Sequence, residues 1–219
     1  MEPNEKMLQR MSSGIEYRRI DVAGLELRSG DAGDMSVEGY ATTFNQPYEL
    51  YSHDDYVVRE QVSSHAFDSC AMNDVIMQYD HKGRVFARTR NNTLELSCDD
   101  HGLKVRAHLG GTEIGRQLYE EIKGGYTDRM SFGFTVKADE RLVTTIDGKT
   151  DVLRTITDIE RLWDVSAVSF PANDMTSISA RSCFDGIVEA LKVQDALDAE
   201  KRHKEELKEE IRRLLKIGG

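Results

Sequence analysis

The chain has 219 residues, 39% hydrophobic and 31% charged, which suits one sizeable soluble domain with a core that needs no staples, joined to a very polar portion. Its net charge of −10 argues against a general nucleic-acid binder, which presents a basic face. Cys70, Cys98 and Cys183 are far apart and form no C-x-x-C, which argues for reduced thiols in a cytosol and against a disulfide framework or a zinc site. No apolar run approaches the roughly 18–20 residues that span a bilayer. Met1 to Lys6 carries no apolar h-region, so the expectation is a soluble, cytoplasmic protein.

Residues 1–15 are polar and read as a loose segment. From Glu16 to Arg28, Tyr17, Ile20, Val22, Leu25 and Leu27 fall among charges, and the pattern predicts a strand. A turn at Ser29–Asp34 leads to a second strand, Met35–Phe44, closed by Asn45-Gln46-Pro47. A loop with Tyr48, Tyr51, His53, Asp54 and Asp55 follows, then a short strand Tyr56–Glu60. Ser63 or Ser64 caps a short expected helix through Ala66, Phe67 and Cys70.

Val75 to Tyr79 is apolar and strand-like, and it runs directly into Asp80-His81-Lys82-Gly83. Polar turns at strand ends are where site residues gather. Val85–Arg88, Thr93–Cys98 and Gly102–Leu109 predict a meander, with turns at Asn91-Asn92 and Asp99–Gly102. Thr112 is a predicted N-cap. Ile114, Leu118 and Ile122 share one helical face, and Gly124-Gly125 end the helix. Ser131 opens a long strand pair, Phe132–Ala138 and Val152–Ile159, around a turn containing Asp147-Gly148. A last strand runs from Leu162 to Phe170 and stops at Pro171.

From Phe184 to Ile217, Ile187, Leu191, Leu197, Leu207, Ile211 and Leu214 are spread among Glu, Lys and Arg. This predicts a long charged helix with a narrow apolar stripe. Glu209 and Arg213 make a favourable i, i+4 pair worth about 0.2–0.5 kcal/mol. Such a helix either packs on its own domain or pairs with another copy or a partner helix.

Chemistry enters at Asp128-Arg129-Met130-Ser131-Phe132-Gly133-Phe134. A serine in such a strand is a nucleophile only if a base takes its proton and a third group orients that base. The histidines on offer are His53, His65, His81, His101, His108 and His203. His81 is the one set just after a strongly apolar strand with a glycine two residues on, so it ranks first among them. A metal hydrolase using Asp80, His81 and another histidine is a competing reading, but no H-x-x-x-H or similar ligand spacing supports it.

Five segments in order resemble the prohead (procapsid) maturation proteases of tailed bacteriophages, which have a herpesvirus-assemblin-like fold. They are Glu38–Asn45, Val75–His81, Gly102–Leu109, Gly124–Phe134 and Leu162–Asn173. The resemblance covers about residues 16 to 180. It implies an α+β fold with a mainly antiparallel, β-barrel-like core and a few surface helices, with residues 16–183 as the protease domain and 184–219 as a charged helical extension.

Carried over residue by residue, the family's histidine falls on His81, its serine on Ser131 and its acid on Asp164. The family often has Asn where this chain has Asp80, and Glu where it has Asp164. Asp80 either raises the basicity of the histidine or hydrogen-bonds a turn. Asp164 has the shorter reach, and strand alternation puts Glu160 on the same face as a fallback acid. The oxyanion donors expected are backbone N–H groups near Phe132-Gly133 or in the Gly124-Gly125 turn, with Arg129 as a further candidate.

For function, the resemblance implies a serine endopeptidase that cuts scaffold, or the scaffold-like segment of the major capsid protein, and also itself. It implies action in the host cytoplasm inside the assembling procapsid. It also implies a homo-oligomer, a dimer by analogy with herpesvirus-type relatives, with no cofactor, no metal and no nucleic-acid or membrane partner. A non-enzymatic capsid scaffold or assembly protein is the alternative, which the presence of both His81 and Ser131 disfavours.

Overall fold

Apolar and polar residues alternate through most of the chain, and the computed structural model turns that alternation into a ten-stranded sheet. It describes residues 14–27, 35–52, 55–146 and 148–168, with positions 200, 203–205 and 208. The strands are β1 (Glu16–Leu27), β2 (Ser36–Thr43), β3 (Tyr48–Ser52), β4 (Tyr56–Val62), β5 (Ile76–Tyr79), β6 (Lys82–Arg88), β7 (Leu94–Cys98), β8 (Gly102–His108), β9 (Arg129–Ile146) and β10 (Lys149–Val168). One helix, α1 (Glu113–Lys123), lies between β8 and β9. All of these belong to the compact unit Gln9–Asp174.

The main path of the sheet runs β3-β4-β10-β9-β1-β2-β8-β7, with β5 on β10 and β6 on β5. The expected barrel is not closed: among the described residues β3 and β7 end the path without pairing to each other. A single bridge from Phe44 to Val62 brings the end of β2 to the end of β4. One bridge is too little to zip those edges into a ladder.

Three local expectations change. Tyr48 to Ser52, expected in a loop, is a strand paired antiparallel with β4, because tyrosines suit a half-buried pleat. The helix expected through Ala66, Phe67 and Cys70 is a chain of tight turns: Ala66, Asp68 and Cys70 each donate to the carbonyl three residues back. The Ala66 carbonyl accepts instead from Ile159 N–H, so β10 takes an acceptor that a helix would need. Finally, Val152–Ile159 and Leu162–Val168 are one strand of 20 residues with bulges, not two strands with a break.

The expected helix from Phe184 lies outside the described residues except at 200, 203–205 and 208, which are helical, with Lys204 Nζ 2.6 Å from Glu200 Oε1. Residues 1–13, 28–34, 53–54, 147 and the end of the expected last strand, 169–170, also lie outside. Among the described residues no helix is long and apolar enough to cross a membrane.

Helix α1 forms as expected. The Thr112 hydroxyl accepts from Gly115 N–H at 3.1 Å, satisfying one donor of the first turn. Leu118 and Ile122 are buried, and Gly125, at φ 72°, turns the chain out of the helix. On β9, Met130, Phe132 and Phe134 are all fully buried, and the rings of Phe132 and Phe134 stack with centroids 4.5 Å apart. Each such ring contributes about 1.5–3 kcal/mol by leaving water. Ser131 and Gly133 therefore point to the other face.

A charged cluster ties β1, β4, β9 and β10 together. The fully buried Glu60 accepts from Arg18 Nε at 2.6 Å, Arg154 Nη1 at 2.9 Å and Tyr48 Oη at 2.6 Å. Glu16 bonds both arginines, and Asp139 accepts from Arg154 Nε at 2.9 Å. Burial opposes the charge on Glu60, but Arg18 and Arg154 outweigh it and hold the carboxyl below its ordinary value.

Candidate active site

Three strands converge on one small region. β9 and β10 run antiparallel, with Ser131 opposite Ser166 and Gly133 opposite Asp164. Residues two apart on a strand share a face, so Ser131, Gly133, Asp164 and Ser166 form one patch on the hairpin. The other edge of β10 carries β4 along Thr150–Ile156 and β5 along Asp164–Ala167, both parallel. The turns of residues 63–75 carry the chain between them, pinned by Ala71 N–H to the Glu160 carbonyl and Leu162 N–H to the Ala71 carbonyl.

β5 thus ends beside the patch. Asp80 N–H donates to the Ala167 carbonyl at 3.0 Å, and Tyr79 pairs with Lys82, leaving Asp80-His81 as a two-residue hairpin turn. Both residues have positive φ, 48° and 57°, the backbone of a tight turn whose twist matches the flanking strands. Asp and Asn tolerate that region better than most residues, which accounts physically for Asp80 at the first position. His81 in the second is a mildly strained residue held by its surroundings, a common condition at functional sites.

The turn swings the His81 ring over the patch. Its Nε2 lies 2.5 Å from Ser131 Oγ and its Nδ1 lies 2.6 Å from Asp164 Oδ2. Ser131 is fully buried and Asp164 is 4% exposed. Ser131 Oγ also lies 2.8 Å from the Arg18 carbonyl. One hydroxyl proton cannot serve both acceptors, so it goes either to that carbonyl or to His81 Nε2. The Ser166 hydroxyl donates to Asp164 Oδ2 at 2.8 Å and lies 3.3 Å from His81 Nδ1.

Tyr17 of β1 covers His81, its ring 4.4 Å away by centroids and tilted 56°. Burial, and secondarily the Asp164 carboxylate, push the Tyr17 phenol above its ordinary value. Gly133 makes room beneath. A β-carbon there would stand 2.3 Å from Asp164 Oδ1 and 2.7 Å from the Tyr17 ring.

The structure therefore brings together His81, Ser131 and Asp164. Glu160 is exposed, and the carboxylate bonded to His81 is that of Asp164. Register shifts between Ile159 and Arg161 and between Leu162 and Asp164 break the alternation that put Glu160 on the Asp164 face. The Gly124 and Gly125 N–H groups donate to the Glu120 and Ile122 carbonyls, so the helix end already uses those two oxyanion candidates. Phe132 and Gly133 have strand partners on both sides. Arg129 lies 3.7 Å from Asp128.

Among the other histidines, His65 pairs with Asp68 on the surface, His101 packs edge-on to Tyr40 and His108 is exposed near Ser36. His203 is one of the few described helical positions after 168, and His53 lies outside the described residues. Among the described residues no cluster of three or more His, Cys, Asp or Glu is placed to hold a metal. Burial pushes the Cys70 thiol up to about 11, which keeps it protonated and unreactive at neutral pH.

Sequence reasoning missed Ser166, Tyr17 and the Arg18 carbonyl. Ser166 had a signal, since it stands two residues after Asp164 and alternation puts both on one face. Tyr17 and Arg18 had none, because their places depend on pairing across more than 110 positions.

The model of a family described as "Caudovirus prohead serine protease" matches residues 23–186. Over 163 residues the chain is 28% identical to the "Prohead protease" of Enterobacteria phage HK97, a match covering 73% of this chain and 65% of that protein. The chain thus spans less than two thirds of the length of the curated relative it matches. No solved structure matches it significantly.

Proposed function

Because the chain belongs to the caudovirus prohead serine protease family, we propose that it is a serine endopeptidase of phage capsid maturation, with Ser131 as nucleophile, His81 as general base and Asp164 as the acid that orients it. The observation that carries this reading is the unbroken line of hydrogen bonds from Ser131 Oγ through both His81 nitrogens to Asp164 Oδ2.

The hydroxyl proton passes from Ser131 to His81 Nε2 as Oγ attacks the scissile carbonyl. His81 returns that proton to the leaving amine, and water repeats the cycle on the acyl-enzyme. Asp164 accepts from Nδ1–H throughout and stabilises the imidazolium. The proposed substrates are scaffold, or the scaffold-like segment of the major capsid protein, and the chain itself. The proposed place of action is the assembling procapsid in the host cytoplasm, with self-association through residues 184–219.

Co-expression with the cognate capsid protein, wild type against Ser131→Ala, tests this by intact mass. Cleavage of both proteins should vanish with the hydroxyl. Cleavage persisting in the variant would place the nucleophile elsewhere, and assembly without cleavage by either form would favour a scaffold.

A further inference from the structure

A buried hydroxyl on the acid side of the site has no part in the reaction described so far. Ser166 is fully buried, directly across from Ser131 in the β9–β10 ladder. Its Oγ is 2.8 Å from Asp164 Oδ2, the same oxygen that faces His81 Nδ1, and 3.3 Å from Nδ1 itself.

Proton counting fixes what it does. An ionised carboxylate only accepts, so the Ser166 proton goes to Asp164 and the Ser166 lone pairs face His81. Nδ1 then meets two acceptors, Oδ2 at 2.6 Å and Oγ at 3.3 Å. Only a proton on Nδ1 suits that pair. A neutral imidazole carries one N–H, so Nε2 is left bare toward Ser131. With Ser166 reversed, donating to Nδ1, Asp164 Oδ2 would face a nitrogen lone pair at 2.6 Å and lose its buried donor.

We infer that Ser166 is a positioning residue of this site: its hydroxyl anchors the Asp164 carboxylate and fixes His81 in the Nδ1–H tautomer that can accept from Ser131. The inference rests on the catalytic assignment above. It concerns the rate of nucleophile activation, not peptide binding.

The test compares Ser166→Thr with Ser166→Val in the full chain, with Ser166→Ala beside them. Thr and Val have the same shape, so any crowding from the added methyl is common to both and only the hydroxyl differs. The readout is the rate at which a fluorophosphonate labels Ser131, whose Oγ displaces fluoride from phosphorus. A second readout is the low-field Nδ1–H proton resonance of His81, which needs no catalysis.

Ala and Val should label about 10- to 100-fold more slowly than wild type, as expected for loss of a hydrogen bond to a charged group. Thr should label within about threefold of wild type on the same grounds, and the Nδ1–H resonance should keep its wild-type position in Thr and move upfield or broaden in Val, where Asp164 remains its one acceptor. On a peptide spanning the cognate cleavage site, kcat should fall in Ala and Val while KM stays put. Equal rates for Thr and Val, or a wild-type rate for Ala, would overturn the role of Ser166 while leaving the nucleophile intact. Labelling that persists in Ser131→Ala would instead overturn the catalytic assignment and this inference with it.

Discussion

Asp164 and Gly133 face each other across the β9–β10 ladder, and the Asp164 carboxylate occupies the space that a β-carbon at position 133 would need, 2.3 Å from Oδ1. The bare α-carbon of Gly133 leaves room for the acid that bonds His81 Nδ1. Gly133→Ala should therefore push the carboxylate and the Tyr17 ring away from the imidazole. A displacement near 1 Å typically costs about 10²-fold in rate. Peptide cleavage by the purified variant should fall by that order while its thermal unfolding remains cooperative.

The choice between the two candidate acids is testable directly. Asp164→Asn replaces an acceptor-only carboxylate with an amide that can donate to Nδ1 and hold the wrong tautomer, and it should lower kcat by about 10⁴-fold. Glu160→Gln, at an exposed position, should leave kcat unchanged. Steady-state kinetics on one peptide substrate separates the two.

The Glu60 cluster governs stability rather than chemistry. Its folded-state carboxyl titrates below the ordinary value of 4.5. The stabilisation is therefore complete above about 4.5 and is lost as pH falls through the lower, folded value. Urea unfolding should show wild-type stability declining in that acid range. Glu60→Gln should cost about 3–5 kcal/mol at neutral pH, since it leaves Arg18 and Arg154 short of a buried partner, and its decline at low pH should be shallower.

The thiols should be spectators. Burial raises the half-buried Cys70, and partial desolvation with the Asp68 and Asp99 carboxylates raises the exposed Cys98, so little thiolate forms at pH 7. Iodoacetamide treatment of native protein at that pH should leave peptide cleavage intact and Cys70 unmodified by peptide mass mapping.

How much of this was legible in the sequence depended on distance along the chain. Short-range signals were readable: Thr112 and Gly124-Gly125 bounded a real helix, and apolar alternation marked most strands. The turn at Asp80-His81 was visible as a polar break after an apolar run. The placement of Ser131 beside His81 came from the order of motifs, because the two sit 50 positions apart and nothing local joins them. What failed was alternation carried through a bulge, which misplaced Glu160, and helix pattern in residues 63–70, where β10 competes for the carbonyls. Closure of the barrel failed for a related reason, since pairing between distant edges leaves no periodic mark. The Glu60 cluster was invisible because its arginines lie 42 and 94 positions away.

The central claim is that His81 activates Ser131, and the most direct measurement is covalent capture of the nucleophile. Native protein treated with a fluorophosphonate and digested for mass spectrometry should carry one adduct, on Ser131, and His81→Ala should abolish it without loss of fold. An adduct on another residue, or undiminished labelling of Ser131 in His81→Ala, would contradict the account.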